Sequence, residues 1–254
     1  MTAQNEGLSG GLMSGGEPYT LQADGITMHF GGIKALEEVD FKVQRGKVTG
    51  LIGQNGSGKS TLLNVITGEL QPKGGQIYFE GERIPVVKPA VMASCGISRV
   101  FQSVQVFDRL SVEENIRAAQ LPLSRSPRVL PEIADVLRLV GLSDYHHLAA
   151  RDISYGHRRL LELGMALSTS PKLLLLDEPT AGLSRDSVQL VIDCINDLNA
   201  KNRVTMVIVE HEMEVVFRLC HQIYVLDSGK VIAVGSPSDI RKNEDVLRLY
   251  IGED

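Results

Sequence analysis

Tryptophan is absent from this 254-residue chain, and aromatic residues of all kinds make up only 5% of it. A surface that binds single strands by stacking needs aromatic platforms, so composition speaks against one. Positive charge is short as well: 26 Lys and Arg stand against 31 Asp and Glu, a net charge of −5. A dedicated DNA or RNA face carries the opposite balance, so no nucleic-acid partner is expected. Cys95, Cys194 and Cys220 lie far apart without C-x-x-C spacing, which fits reduced core thiols rather than disulfides or a metal site. The six histidines show no ligand spacing with them. Long apolar runs are missing. The most apolar one, Leu173 to Leu176, is bounded by Lys172 and Asp177 and falls far below the roughly 20 residues that span a bilayer. No basic-then-apolar leader is seen, and residues 1–18, rich in Gly and Ser, are expected to form a flexible tail.

What is present centres on Gly53-Gln54-Asn55-Gly56-Ser57-Gly58-Lys59-Ser60, which fits G-x-x-x-x-G-K-[ST]. By composition alone, that pattern arises in a chain of this length roughly once in a hundred tries. Here the β-prone run Val48-Thr49-Gly50-Leu51-Ile52 precedes it and the amphipathic stretch Ser60 to Ile66 follows. Strand, glycine loop and helix start make a phosphate cradle: glycines let N–H groups converge on phosphate oxygens at a helix N-terminus that favours negative charge. The expected nucleotide contacts are Gly53, Gln54, Asn55, Gly56, Ser57, Gly58, Lys59, Ser60 and Thr61. Lys59 would reach the β- and γ-phosphates, and the Ser60 hydroxyl would ligate Mg²⁺.

The surrounding pattern reads as α/β. Leu21 to Phe30 and Ala35 to Val43 alternate as half-buried strands about a Gly31-Gly32 turn, and Gln76 to Phe79 continues the β pattern. The phosphate loop therefore lies between antiparallel-looking elements. Ser111-Val112-Glu113-Glu114 is a capping box for a helix through about Gln120. Pro122, Pro127 and Pro131 then interrupt the chain before a second helix, Glu132 to Val140, stopped at Gly141. Residues of about 103–168 read as a helical insertion. Beyond it, strand Leu173–Asp177, helix Arg185–Ala200, strand Val204–Val209, helix Glu212–Leu219 and two short strands around Asp227 to Lys230 imply a mostly parallel sheet core.

Leu173 to Glu178 is an apolar strand ending in two carboxylates. Ligand crevices of open α/β sheets lie at the carboxyl ends of strands, so both acids fall beside the phosphate loop. Asp177 suits Mg²⁺ and Glu178 suits polarising the attacking water, two separate carboxylate duties in phosphoryl transfer. Glu210-His211 ends the next strand, which makes His211 a candidate γ-phosphate sensor.

With the phosphate loop, Gln102 in Val100-Phe101-Gln102, Ser154-Tyr155-Gly156-His157, Leu175 to Thr180 and His211 in order, the chain resembles the ATP-binding subunits of ABC transporters from about residue 20 onward. The resemblance implies a P-loop ABC ATPase fold with an antiparallel β subdomain and an inserted helical subdomain, using ATP and Mg²⁺. It implies adenine stacking on Phe30, and Gln102 contacting Mg²⁺ and the lytic water. Ser154 and Gly156 would open a helix aimed at the ATP of a second subunit, so that two subunits sandwich two ATP molecules. Transmembrane permease subunits, an indirectly engaged extracytoplasmic solute receptor and a cytoplasmic, peripheral location follow from the same resemblance. Tyr155 and His157 stand where most relatives have Gly and Gln, and Ser184 where most have Asp. Ser-Tyr-Gly, Gly31-Gly32, Ser98 to Gln102, Val209-Glu210-His211 and Leu249-Tyr250-Ile251-Gly252 are similar to branched-chain amino acid importers and their urea and amide relatives. The alternative is a soluble or envelope-associated ABC ATPase serving macromolecular assembly or lipid export.

Overall fold

The computed structural model describes residues 19–123 and 129–251; the 1–18 tail, Pro127 and Gly252 lie outside them. In chain order the strands are β1 (Tyr19–Phe30), β2 (Ile33–Gln44), β3 (Val48–Ile52), β4 (Gly74–Phe79), β5 (Glu82–Arg83), β6 (Ile97–Val100), β7 (Leu173–Asp177), β8 (Met206–Val209), β9 (Gln222–Asp227) and β10 (Lys230–Gly235). The helices are α1 (Lys59–Ile66), α2 (Pro89–Cys95), α3 (Val112–Gln120), α4 (Ile133–Leu139), α5 (Tyr155–Leu167), α6 (Arg185–Asn202), α7 (Met213–Leu219), α8 (Pro237–Ile240) and α9 (Glu244–Ile251).

Two sheets result. An antiparallel one has the order β2-β1-β4-β5, and a six-stranded one the order β10-β9-β3-β8-β7-β6. Within the second sheet, β3 pairs in parallel with β8 and β9, β7 with β8 and β6, and only β10 runs antiparallel, against β9. The strand that feeds the phosphate loop is central to the parallel sheet, while the elements flanking it in sequence, β1, β2 and β4, form the antiparallel one, as their pattern implied.

Each face of the six-stranded sheet has its own core. Leu173 and Leu175 of β7, Val207 and Val209 of β8 and Leu51 of β3 pack with α1 and the antiparallel sheet. Leu174, Leu176, Met206, Ile208 and Ile52 pack on the other side with α3 to α7. A strand covered on both faces can be leucine at every position, and this is why the run at 173–176 shows no alternation. Each of these buried leucines is worth roughly 1.5–3 kcal/mol relative to exposure.

Between β6 and β7 the chain is helical. Ser111 caps α3 through a complete capping box, with Glu114 N–H donating to Ser111 Oγ and Ser111 N–H to Glu114 Oε2. Burial at Val112, Asn115 and Ile116 gives α3 one inward face, and the i, i+3, i+4 spacing is that of an amphipathic helix. Gly141, at φ +70°, follows the end of α4. Gly164 lets α5 approach α4 and α3 closely, since an added Cβ would meet Val140, Val136 and Ile116. The cysteines are free; Cys220 is buried, whereas Cys95 and Cys194 are only half-buried. Burial pushes the Cys220 thiol up to about 12, an inert state.

Candidate active site

The phosphate loop joins the buried end of β3 to the first turn of α1. Gly58 occupies the N-cap with φ +110° and supplies no side-chain cap, so the first N–H groups of α1 keep their donor capacity. Ser57 is buried at 3% exposure, whereas Gln54, Asn55 and Gly56 are open to solvent. Lys59 is itself buried, and its Nζ donates to the carbonyls of Gly53 and Gln54, each at 2.8 Å. Burial holds the Lys59 ammonium below its ordinary range, against the attraction of Glu178 and Asp177. The ammonium thus lies at the loop's own mouth. Ser60 is exposed on the first turn of α1, with Thr61 beside it half-exposed.

Facing the loop, β7 ends at Asp177, in register with Val209 of β8. Asp177 Oδ2 accepts from Arg99 Nη2 at 2.6 Å, and Arg99 Nη1 donates to Asn64 Oδ1 of α1 at 2.6 Å. One guanidinium therefore joins β6, the end of β7 and the helix behind the phosphate loop. Glu178 takes up the left-handed region at φ +47°, unusual for a residue with a side chain. Its N–H donates to the carbonyl of Val209 at 2.8 Å. Its Oε2 accepts from Gln102 Nε2 at 2.6 Å, and its Oε1 lies 3.8 Å from His211 Nδ1.

Gly53, Gln54, Asn55, Gln102, Glu178 and His211 line one cleft of about 570 Å³. It opens at the carboxyl ends of β3, β7 and β8, where ligands of parallel α/β sheets bind. Residues separated by up to 158 positions in sequence are thereby brought around one space that combines the loop backbone, an amide, a carboxylate and an imidazole. Phe30, Ser154 and Gly156 are not among the residues lining it.

The ABC transporter family model matches residues 36–181. The chain belongs to the ABC transporter family. It is 35% identical over 249 residues to the high-affinity branched-chain amino acid transport ATP-binding protein BraF of Pseudomonas aeruginosa, covering 92% of this chain and 98% of that one. It is 34% identical over 251 residues to the probable branched-chain amino acid transport ATP-binding protein LivG of Methanocaldococcus jannaschii, at 92% and 97% coverage. Among solved structures, the ADP conformation of an ATP-binding cassette of an ABC transporter superposes with a TM-score of 0.82 at 34% identity, covering 92% of this chain and 99% of that one. The chain is an ATP-binding subunit of an ABC transporter, and so an ATPase.

In this ABC subunit Ser154 caps α5: its Oγ accepts from His157 N–H at 3.2 Å and lies 2.9 Å from His157 Nδ1. The His157 ring in turn packs on Tyr145, centroids 4.5 Å apart. Gly156 is required by packing, since a Cβ there would stand 2.6 Å from Ser187 Oγ on α6. Ser184 caps α6, its Oγ accepting from Ser187 N–H. Phe30 sits 45% exposed at the end of β1. The hairpin it belongs to does reach the phosphate loop, because a Cβ on Gly58 would meet the Ala35 carbonyl at 2.6 Å.

No group of three or more His, Cys, Asp or Glu among the described residues could hold a metal ion by itself. Mg²⁺ needs no such cage, since it is commonly held by one or two oxygen side chains together with substrate phosphates. Asp177 and the Ser60 hydroxyl, at the end of β7 and on the first turn of α1, fit that donor set. No described helix is long and apolar enough to cross a membrane.

Three contributors have no role assigned from the sequence: Arg99 and Glu210, which appear there only within motifs, and Arg159. Glu210 is buried at the end of β8, and its Oε1 accepts from both Thr180 N–H (3.0 Å) and Thr180 Oγ1 (2.6 Å). It thus ties the turn after Glu178 to the strand that carries His211. Burial raises the Glu210 carboxyl above its ordinary range. A raised folded-state value means that this group's stabilising share is complete at acid pH and is lost as pH climbs through that value. Glu210→Gln, which keeps the acceptor without the charge, should therefore gain stability over the parent as pH rises. We expect a melting temperature about 2–4 °C higher at pH 8, for about 1 kcal/mol, with the gap closed at pH 4. Melting curves at both pH values check this; equal gaps would show that the charge is not the cause.

Proposed function

We propose that this ABC subunit powers the import of a small polar solute, a branched-chain amino acid or a related amino acid or amide. The convergence of the phosphate loop, Gln102, Glu178 and His211 on one cleft carries the ATPase half of the reading. The relatives named for branched-chain amino acid transport support the substrate class. A ribose import ATP-binding protein of Rhizobium meliloti is also 33% identical over 242 residues. The substrate class therefore rests on the subgroup and needs its own test.

In this reading, N–H groups of Gly53 to Thr61 and the Lys59 ammonium bind the triphosphate, and Phe30 stacks on the adenine. Ser60, Asp177 and Gln102 are the proposed Mg²⁺ ligands. Bound there, the ion would neutralise charge on the β- and γ-phosphates. Glu178 takes up a proton from the attacking water, oriented by Gln102, while His211, beside Glu178, contacts the γ-phosphate. Ser154 and Gly156 complete the site of a second ATPase subunit, identical or paralogous. A dimeric, post-hydrolysis ATP-binding cassette bound to ADP and Pi shares the fold at a TM-score of 0.71, with 23% identity. The helical segment of about 103–168 is the proposed relay to the permease subunits, which would hold the chain at the inner face of the membrane and engage a solute receptor beyond it.

The test is reconstitution. Membrane proteins that copurify with the chain from native membranes are placed with it in vesicles, and ATP-dependent uptake of labelled leucine, ribose and urea is compared. Leucine uptake that requires the intact phosphate loop supports the proposal. Recovery of soluble partners alone, or uptake of ribose without leucine, overturns it.

A further inference from the structure

Arg159 has the largest fully buried side chain in the described structure, at 1% exposure. An arginine presents five N–H donors in a fixed planar fork, and here each has its own acceptor. Nε donates to the Pro179 carbonyl (3.0 Å). Nη1 donates to the Phe101 carbonyl (2.6 Å) and to Glu162 Oε2 (2.7 Å). Nη2 donates to the carbonyls of Asp177 (3.3 Å) and Glu178 (2.7 Å). Four of the five acceptors are backbone oxygens: three lie in the two loops that carry Gln102 and Glu178, and the fourth, Asp177, ends β7.

The arginine stands on α5, five residues after Ser154, in the helix whose N-terminus bears the Ser154-Tyr155-Gly156 motif. Glu162, one turn further along α5, balances its charge. Burial raises the Glu162 carboxyl and the Arg159 guanidinium opposes that shift. The second Glu162 oxygen, Oε1, accepts from Gln105 N–H at 3.2 Å, so the pair also holds the loop beyond Gln102.

We propose that Arg159 is a positioning residue: from α5 it sets, through one rigid fork, both the turn that aims Glu178 and the start of the loop that aims Gln102. Glu178 occupies the left-handed region, which persists only where surrounding contacts over-determine it. Its N–H is fixed by Val209 and its carbonyl by Arg159. Rotation of α5, whose first residues do not line this cleft, would therefore pull on the carbonyl of Glu178. A lysine cannot replace the fork, because its three donors radiate from a single atom.

The inference rests on the catalytic reading of Glu178 and is tested beside it. Arg159→Lys, Glu162→Gln and Glu178→Gln are purified as the full chain. Each is measured for melting temperature, affinity for a fluorescent N-methylanthraniloyl ATP, and kcat and KM for ATP per nucleotide-binding site. Arg159→Lys is expected to bind the analogue within about twofold of the parent, with kcat lowered about thirtyfold or more and KM little changed. Glu162→Gln, which leaves the fork in place but loses its charged partner, should lose about fivefold in kcat. A purely structural role would lower the melting temperature and the number of binding sites while kcat per site stayed at the parental value. That result overturns the proposal; if Arg159→Lys does not fold, parental kcat per site in Glu162→Gln overturns it alone. Parental turnover in Glu178→Gln would instead remove the catalytic reading itself.

Discussion

Glu178→Gln is expected to lower kcat for ATP by about a hundredfold or more, leave nucleotide affinity within about twofold, and accumulate ATP-bound dimers. The amide has the shape of the carboxylate, and its oxygen can still accept the 2.6 Å hydrogen bond from Gln102 Nε2. The backbone at 178 is held by Val209 and Arg159 whatever the side chain carries. What disappears is basicity: the amide cannot take up a proton from water. Binding and turnover therefore separate, and the species that precedes hydrolysis persists. Steady-state kinetics together with size-exclusion chromatography in ATP and Mg²⁺ reads both halves. A variant that hydrolyses ATP at the parental rate would falsify the assignment of Glu178 as general base, and His211 would become the first group to test in its place.

Much of this site is legible in the sequence, for a physical reason. Phosphate binding by backbone N–H groups imposes glycine at fixed offsets, and a carboxylate placed at the end of a buried parallel strand is preceded by an unbroken apolar run. Both leave local signatures, at Gly53 to Ser60 and at Leu173 to Glu178. The capping box at Ser111 was legible likewise, because its two hydrogen bonds join residues three apart. What stayed hidden acts over distance. Arg99 reaches Asp177 across 78 positions and Arg159 reaches Phe101 across 58. An arginine in an amphipathic stretch gives no sign of which carbonyls it will meet. The short strand β6 went unread for a related reason: Ile97 and Val100 are buried but Ser98 and Arg99 are not fully so, and a four-residue strand has too little pattern to show. The pairing of β3 stayed hidden for the same reason. Its partners β8 and β9 begin at Met206 and Gln222, more than 150 residues away.

The phosphate loop offers a prediction of comparable size, and it sets apart glycines that composition treats alike. Gly53→Ala is expected to destabilise the chain by about 3 kcal/mol, a drop of about 6–12 °C in melting temperature, and to weaken ATP binding at least about a hundredfold. Any Cβ at 53 would lie 2.1 Å from the Leu226 carbonyl oxygen and 2.5 Å from Ser57 Oγ, with φ at +156°. Ser57 could turn aside, but the Leu226 oxygen is part of β9, paired to β3 in the central sheet, and cannot move without disturbing the ladder. Gly56 differs in kind. It too has positive φ, +81°, yet an added Cβ meets nothing within 4 Å. Gly56→Ala then carries only the left-handed penalty of an alanine, about 1–2 kcal/mol, and leaves the loop's path unchanged. The G-x-x-x-x-G-K-[ST] pattern demands glycine at 53 and 58 and tolerates any residue at 56, and the crowding reproduces that division: Gly58, like Gly53, has a backbone oxygen in the way, the Ala35 carbonyl at 2.6 Å. Melting and analogue-binding measurements on the two alanine variants decide the point. If Gly53→Ala melts within about 2 °C of Gly56→Ala, less than 1 kcal/mol separates them, and contact with Leu226 is not what reserves position 53 for glycine.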